Sequence, residues 1–142
     1  MNAAEADAIM TAVAAWAFGR DDIRALALAG SWARGAAHEG SDIDMVLLSE
    51  EAHDYRGRRD WLTAIDFRAA GFAVQSTEDV TYGAVWSRHV HLLPRAKLEL
   101  TFAELSWAKI DPIDSGTQVV VSDAFRIMFD KDGLLARLMG SL

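Results

Sequence analysis

The chain of 142 residues contains no cysteine and only two prolines. Without cysteine it has neither disulfides nor thiolate metal sites, and it is compatible with a reducing cytosol. The scarcity of proline and the apolar content of 51% are typical of a compact chain without a disordered tail. Because folding buries roughly two-thirds of the surface of a chain this long, we expect a single domain over residues 1–142.

Basic residues are also scarce, with 14 Lys and Arg against 21 Asp and Glu and a net charge of −7. This sign disfavours extended nucleic acid as a partner, although backbone amides, a cation or a metal can still bind a small anion. The first ten residues include acidic ones where a signal peptide has basic ones, and no apolar run approaches membrane-spanning length. We therefore expect a cytoplasmic protein that does not contact a membrane.

Hydrophobic periodicity predicts helices and strands that form one mixed sheet. Helices are predicted at 3–18, 54–70 and 132–142, with one or two helical turns at 31–37. Strands are predicted at 23–29, 42–48, 72–77, 82–93, 96–105, 117–122 and 124–129. The short connection near Pro94 favours an antiparallel pair. The predicted fold class is α/β in the broad (α+β) sense, with a mixed β-sheet flanked by helices.

Two aspartates, Asp42 and Asp44, stand at alternate positions where a buried strand begins. Alternation places both side chains on one face, with Cα atoms about 6–7 Å apart. Ile43 between them points into the core, which anchors the pair on a rigid element. Two such carboxylates can share a divalent cation, and oxygen ligands select Mg²⁺ or Mn²⁺, which take further ligands from water and substrate phosphates.

Upstream of this pair, Gly30 and Ser31 occupy a strand-to-helix turn. Glycine lets the backbone approach a ligand closely, helix N-terminal amides attract negative charge, and Ser31 adds a hydroxyl donor. Gly35 and Gly40 allow the intervening loop to fold back and bring the Gly30-Ser31 turn close to Asp42 and Asp44. The arrangement predicts a nucleoside triphosphate as ligand, with phosphates on the turn and a metal on the carboxylates.

The stretch GSWARGAAHEGSDIDMVLL resembles the signature of the DNA polymerase beta-like nucleotidyltransferase superfamily, a Gly-Ser turn followed by Asp-x-Asp at the next strand. The likeness is specific over residues 28–48 and greatest for the minimal and antibiotic nucleotidyltransferases. It implies Mg²⁺-dependent transfer of a nucleoside monophosphate from a triphosphate, with ATP the expected donor, to a hydroxyl of a small molecule or protein. The implied reaction releases pyrophosphate. The alternative is a non-catalytic, antitoxin-like binding module that acts on a helical partner protein.

The resemblance also implies a third carboxylate that acts as general base or second-metal ligand. Glu99 shares a strand face with Thr101, while the residues between them face the core. We therefore assign catalysis and metal binding to Asp42, Asp44 and Glu99. Glu104 is the alternative third carboxylate.

Four further side chains are predicted to contact the nucleotide together with Gly30 and Ser31. Ser41 precedes the aspartate pair, and Arg34 is expected either to reach a phosphate or to brace Asp42 or the chain around Gly40. Arg88 and Lys97 either neutralise triphosphate charge or belong to the solvated surface.

Two histidines and one tryptophan remain as candidates near this site. His89 and His91 alternate on one strand face, and without a third ligand we interpret them as exposed or base-facing rather than metal-binding. Trp32, next to the Gly-Ser turn, could cover a base or an acceptor. A homodimer or a helical partner protein could supply a further wall for the acceptor.

Overall fold

The computed structural model describes residues 1–38 and 40–142. The helices are α1 (Ala3–Phe18), α2 (Gly30–Arg34), α3 (Asp60–Thr63), α4 (Ser115–Asp123) and α5 (Leu134–Gly140). The strands are β1 (Ile23–Ala29), β2 (Ile43–Ser49), β3 (Ala73–Tyr82), β4 (Val85–Leu93), β5 (Ala96–Ala103) and β6 (Phe125–Asp130). Two short 3₁₀ helices span Asp54–Gly57 and Leu105–Ala108. No helix in these ranges has the length and apolar character needed to cross a membrane.

The six strands form one sheet in the order β3-β4-β5-β2-β1-β6. The central strands β2 and β5 pair in parallel, and every other neighbouring pair is antiparallel. The structure therefore confirms the predicted mixed sheet flanked by helices, and the predicted antiparallel pairing around Pro94 is present as β4 and β5.

One face of the sheet carries the larger hydrophobic core. Helix α1 and the segment 50–72 cover this face and contribute buried apolar residues to it. Its aromatic centre contains stacked or edge-packed rings, with centroids 4.8–6.1 Å apart, from Trp16, Tyr55, Trp61, Trp86 and Phe102. Burial of these large apolar surfaces supplies the main driving force for folding.

The opposite face carries a smaller core, formed by alanines of β1 and by α4, α5 and the second 3₁₀ helix. Leu48 and Ala103, at the ends of the parallel strands β2 and β5, belong to this core. Asp44 and Glu99, nearer the beginnings of the same strands, instead border an open cleft. The uneven cover of this face leaves room for a ligand above the central strands.

The predicted helix at 54–70 is wrong. The segment contains a 3₁₀ helix, the four-residue α3 and a series of turns, although Trp61, Leu62, Ile65 and Phe67 are buried as the periodicity indicated. Buried side chains use the backbone carbonyls that a continuous helix would need. Trp61 Nε1 donates to the carbonyls of Tyr55 and Arg58, at 3.0 Å each, and Arg88 also donates to the carbonyl of Arg58.

The predicted strand at 117–122 is also wrong, because these residues lie in α4. Asp114 caps the helix by accepting a hydrogen bond from the Thr117 backbone N–H at 3.0 Å. The Thr117 hydroxyl donates to the Trp107 carbonyl at 3.0 Å. Capping and this tertiary contact outweigh the strand preference of three consecutive valines.

The predicted strand at 82–93 is divided between two strands. Tyr82 ends β3, Gly83 and Ala84 form the turn, and β4 begins at Val85. Gly83 has a φ of +59°, a conformation that glycine adopts readily in tight hairpin turns. The predicted strand 72–77 accordingly extends to Tyr82.

Candidate active site

Three neighbouring strands place Asp44, Glu99 and His89 in one row on the cleft face of the sheet. Asp44 of β2 pairs in register with Glu99 of β5, and Glu99 pairs with His89 of β4. The Nε2 atom of His89 lies 3.4 Å from Glu99 Oε1. The parallel pairing of β2 and β5 therefore brings together two carboxylates that are 55 residues apart in the sequence.

The carboxyl group of Asp44 is electrostatically strained. Burial, followed by the nearby charges of Glu99 and Asp42, raises its pKa to about 7. Within the described residues, Asp44 Oδ1 and His89 Nε2 are the two buried side-chain polar atoms without a hydrogen-bond partner. Buried polar groups in proteins are almost always paired, so an unpaired carboxylate oxygen here indicates a place for a ligand.

Gly30 brings the backbone directly against this carboxylate. It begins α2, directly after β1, with a φ of +70°, and a Cβ atom at this position would overlap Asp44 Oδ2. Ser31 follows in the first turn of α2. Glycine is therefore required both by the backbone conformation and by the close approach to Asp44.

Asp42 lies immediately before β2, and its carboxylate is close to a cation. Lys97 Nζ is 3.5 Å from Asp42 Oδ2, and both side chains are partly exposed. The structure therefore places the predicted nucleotide-binding Lys97 at the edge of the carboxylate cluster. Its positive charge offsets part of the repulsion among the carboxylates.

The residues at this site fit a divalent cation that takes some of its ligands from the protein and the others from a bound substrate. Asp44 and Glu99 are adjacent oxygen donors, and one oxygen of Asp44 has no other partner. In the described part of the chain, no group of three His, Asp or Glu side chains is arranged to hold a metal ion by itself. Mg²⁺ and Mn²⁺ commonly accept a few carboxylates and complete their shells with water and phosphate oxygens.

A cleft of about 800 Å³ lies above Asp44 and Glu99. Asp44, Glu99 and Gly30 line its floor, and Val119 of α4 and Tyr82 at the β3–β4 turn are exposed at its walls. The other lining residues are Ala29, Met45, Val46, Gly83, Ala84, Val85, Thr101, Trp107, Asp114, Gly116, Val120 and Asp123. Sequence reasoning missed the α4 wall and Trp107, although the Asp-Ser-Gly sequence before the valine run is a helix-start signal that could have revealed α4.

Arg34 forms an ion pair with Asp123 rather than with Asp42, and its predicted contact with a phosphate stays a prediction. Its NH1 atom lies 2.5 Å from Asp123 Oδ2, so the ion pair joins α2 to the end of α4 beside the cleft. Ser41 instead closes the preceding loop, since its hydroxyl accepts a hydrogen bond from the His38 backbone N–H at 2.9 Å. Trp32 packs against the larger core and its Nε1 donates to the Ser41 carbonyl at 3.4 Å. Trp32 and Ser41 therefore stabilise the chain that leads into β2.

The assignment of Arg88 to the nucleotide site is wrong. Arg88 is buried on the opposite face, where Nε lies 2.8 Å from Asp79 Oδ1. Its other donors reach the backbone carbonyls of Arg58 at 2.8 Å and Arg56 at 3.0 Å. Arg88 holds β3 and β4 against the segment that replaces the predicted helix. Alternation along β4 separates it from His89 and the cleft.

The alternative third carboxylate, Glu104, lies at the far end of β5. Its Oε1 atom is 3.6 Å from His53 Nε2, and it precedes the second 3₁₀ helix. Five residues of extended strand correspond to about 16 Å, so Glu99 rather than Glu104 is the carboxylate beside Asp44. His91, with Nε2 3.5 Å from Glu78 Oε1, is partly exposed, whereas the His89 side chain is 12% exposed.

Comparison with known proteins agrees with this geometry. A nucleotidyltransferase domain family matches residues 15–113, which is more than half of the chain. No curated protein matches the sequence. The crystal structure of an aminoglycoside 6-adenyltransferase from Bacillus subtilis is similar, with a TM-score of 0.55 and 15% sequence identity.

The match covers 76% of this chain and 37% of the adenyltransferase chain, so this chain spans little more than a third of the length of that enzyme. At this identity the structural likeness supports the fold. The family match extends over β1, α2, β2 and β5, and includes Gly30, Ser31 and the carboxylates of Asp42, Asp44 and Glu99. The chain belongs to the nucleotidyltransferase domain family, within the polymerase beta-like nucleotidyltransferase superfamily.

Proposed function

We propose that the protein transfers a nucleoside monophosphate from a nucleoside triphosphate, with ATP as the expected donor, to a hydroxyl group in a metal-dependent reaction. The observation that carries the proposal is the unpartnered buried oxygen of Asp44, beside Glu99 and against the Gly30 turn, on the floor of a cleft of about 800 Å³. Membership of the family supports nucleotidyl transfer as the reaction type.

The phosphates lie between the Gly30 turn and the carboxylate row in this proposal. Gly30 and Ser31 approach the phosphates, and Lys97, at the edge of the row, adds positive charge. Asp42 and Asp44 would hold Mg²⁺ or Mn²⁺, with Glu99 beside Asp44 on the neighbouring strand. The cation, when bound, neutralises phosphate charge and makes the α-phosphorus more electrophilic.

Glu99 serves the acceptor hydroxyl. The acceptor oxygen forms a bond to the α-phosphorus, the bond between that phosphorus and pyrophosphate breaks, and the hydroxyl proton passes to the Glu99 carboxylate. Positioning and electrostatic stabilisation supply most of the acceleration in phosphoryl transfers of this kind. Glu99→Gln should therefore stop transfer while sparing nucleotide binding.

The acceptor is a small hydroxylated molecule or a protein side chain. The similar adenyltransferase is named for an aminoglycoside acceptor, which makes small hydroxylated molecules the first class to test here. Val119 and Tyr82 give the cleft apolar surface above the carboxylate floor, suited to the body of an organic acceptor. A second copy or a helical partner protein could extend this wall.

Calorimetric titration of ATP, GTP, CTP and UTP, each with Mg²⁺ and with chelator, tests the nucleotide site. We expect Mg²⁺-dependent binding of at least one triphosphate to the wild type, loss of binding in Asp42→Asn/Asp44→Asn, and no change in the matched control Asp7→Asn on the exposed face of α1. Binding that survives the double substitution would contradict the assigned site.

Transfer itself is measured as pyrophosphate release on addition of hydroxylated acceptors to the protein with the bound triphosphate. Release that requires acceptor, Mg²⁺ and Glu99 supports the proposed reaction. A protein that binds no triphosphate would favour the non-catalytic binding module, and the next experiment would be a search for its protein partner.

A further inference from the structure

We infer that His89 is a positioning residue that holds the Glu99 carboxylate through Oε1 and so directs the other carboxylate oxygen toward the acceptor. This inference rests on the proposed function, because it assigns a role relative to Glu99 as the residue that serves the acceptor hydroxyl. The family resemblance implies only carboxylates at this site, and the inference adds a histidine to them.

The register of the sheet fixes the contact. His89 and Glu99 are directly opposite each other on the antiparallel strands β4 and β5, and Nε2 lies 3.4 Å from Oε1. Both residues belong to strands inside the sheet, where neighbours on each side restrict their movement. At 3.4 Å the two atoms are separated by little more than an ordinary N–H···O hydrogen bond.

Among the described residues, Glu99 places its Oε1 beside His89 Nε2, at 3.4 Å. Glu78, the other cross-strand neighbour of His89, places its Oε1 3.5 Å from His91 Nε2. In the next pair on the same face of these two strands, Ser87 and Thr101 hydrogen-bond to each other at 2.6 Å. The His89 Nε2 atom is closed to solvent and has no completed hydrogen bond. Because buried polar atoms are normally hydrogen-bonded, His89 Nε2 donates its hydrogen bond to the neighbouring Glu99 carboxylate in this inference.

His89 acts through Glu99 and does not itself contact the ligand. It is absent from the described residues that line the cleft, whereas Glu99 is among them. In the part of the chain that the structure describes, the two unpartnered buried side-chain atoms, Asp44 Oδ1 and His89 Nε2, belong to the residues on either side of Glu99. Asp44 faces the ligand from one side of Glu99, and His89 supports Glu99 from the other.

A hydrogen bond to a functional carboxylate fixes its orientation, as outer-shell partners do in metal sites. Loss of this bond should lower the rate of transfer, because Glu99 no longer faces the acceptor consistently. It should leave binding of the triphosphate nearly unchanged, since the Gly30 turn and Asp44 remain in place.

Steady-state kinetics of His89→Phe, His89→Gln and His91→Phe test this role. His91 is the matched control, on the same strand and face but beside Glu78. We expect kcat to fall about 10- to 100-fold in His89→Phe with KM for the triphosphate within about twofold, and His89→Gln, whose amide N–H can replace Nε2–H, to recover most of the rate. His91→Phe should retain the wild-type kcat.

Equal kcat values for His89→Phe and His91→Phe would overturn the inference. So would a change in KM for the triphosphate with kcat unchanged, or a fall in kcat in His89→Gln as large as that in His89→Phe. In the Glu99→Asp background, which keeps a carboxylate but shortens its reach toward His89, His89→Phe should cause no further loss of the remaining rate. An additional loss of the same size would show that His89 acts independently of Glu99.

A measurement without substrate or metal keeps the inference testable if His89→Phe does not fold or if the wild type transfers no nucleotide. In proteins labelled with ¹⁵N-histidine, Glu99→Gln should shift the imidazole NMR signals of His89 and leave those of His91 in place. Unchanged His89 signals would overturn the inference. An inactive wild type with shifted signals would contradict the proposed function and still support the contact.

Discussion

Arg88 and Asp44 are both charged side chains on interior strands of the same sheet, but they face opposite sides and differ in how completely the protein satisfies them. Arg88 is 1% exposed, and its guanidinium is bound by Asp79 and by the backbone carbonyls of Arg56 and Arg58. Asp44 has an oxygen without any partner and lies beside Glu99. A buried charged group whose hydrogen bonds are all made within the protein has a structural role. A buried charged group with an unpaired atom can bind a ligand.

The surroundings of the two charges differ in the same way. The Arg88 guanidinium lies 5.1 Å from the ring centroid of Trp61 and 5.2 Å from that of Trp86. Its hydrogen bonds hold the pKa of the Asp79 carboxyl below the usual range. Asp44 instead has carboxylates as neighbours, which together with burial raise its pKa. Proteins depart from good local electrostatics at functional sites and compensate elsewhere in the fold.

Replacement of Arg88 should have the largest effect on stability. We expect Arg88→Met to lower the free energy of unfolding by about 3–5 kcal/mol, because it leaves Asp79 without its ion pair and two backbone carbonyls without donors. Urea unfolding in chelator, followed by tryptophan fluorescence, measures the loss. The exposed Arg95 is the matched control, and Arg95→Met should change stability by less than about 0.5 kcal/mol. A similar small change in Arg88→Met would show that the buried arginine is not structural.

The different outcomes for Glu99 and Arg88 show what a single sequence can reveal about a site. The position of Glu99 follows from alternation within one strand, because it is the polar residue of a face whose opposite face is apolar. The side of the sheet on which Arg88 lies depends on whether the even- or odd-numbered residues of β4 share the cleft face with Glu99 of β5. That register is set by tertiary packing, so sequence reasoning assigned Arg88 to the wrong side of the sheet.

Local patterns also predicted the central elements better than the walls of the cleft. The strand that carries Asp42 and Asp44 combines an apolar run with a specific motif, and β2 forms within one residue of the predicted bounds. The valine run of α4 has strand preference, but the Asp114 cap and the contact of Thr117 with Trp107 make it a helix. The buried ring of Trp61 and the Arg88 guanidinium likewise hold segment 54–70 in turns through contacts that no local pattern contains.

Substitution of Gly30 should affect both stability and the cleft. Gly30→Ala places a methyl group in a backbone with φ +70° and against Asp44 Oδ2, so we expect a loss of about 2 kcal/mol and weaker Mg²⁺-dependent triphosphate binding. Gly71→Ala is the matched control, because Gly71 has φ +84° but no atom within 4 Å of an added Cβ. It should lose about 1 kcal/mol and bind nucleotide normally. Equal nucleotide binding by the two variants in calorimetry would show that the approach of Gly30 to Asp44 is not needed for the site.

Replacement of Asp44 should have the smallest and opposite effect on the metal-free protein. The folded-state pKa of about 7 exceeds the ordinary aspartate pKa of 3.8, so the folded protein binds the proton more tightly and its stability falls as pH rises from about 4 to 7. Asp44→Asn removes this penalty and should stabilise the metal-free protein by about 1 kcal/mol at pH 8, with little difference at pH 4, allowing for partial exposure of the carboxyl. Thermal unfolding in chelator at both pH values measures the difference. Adding Mg²⁺ and triphosphate should stabilise the wild type and not the variant. If Asp44→Asn instead unfolded the metal-free protein, Asp44 would be structural like Arg88, and the contrast between the two faces of the sheet would fail.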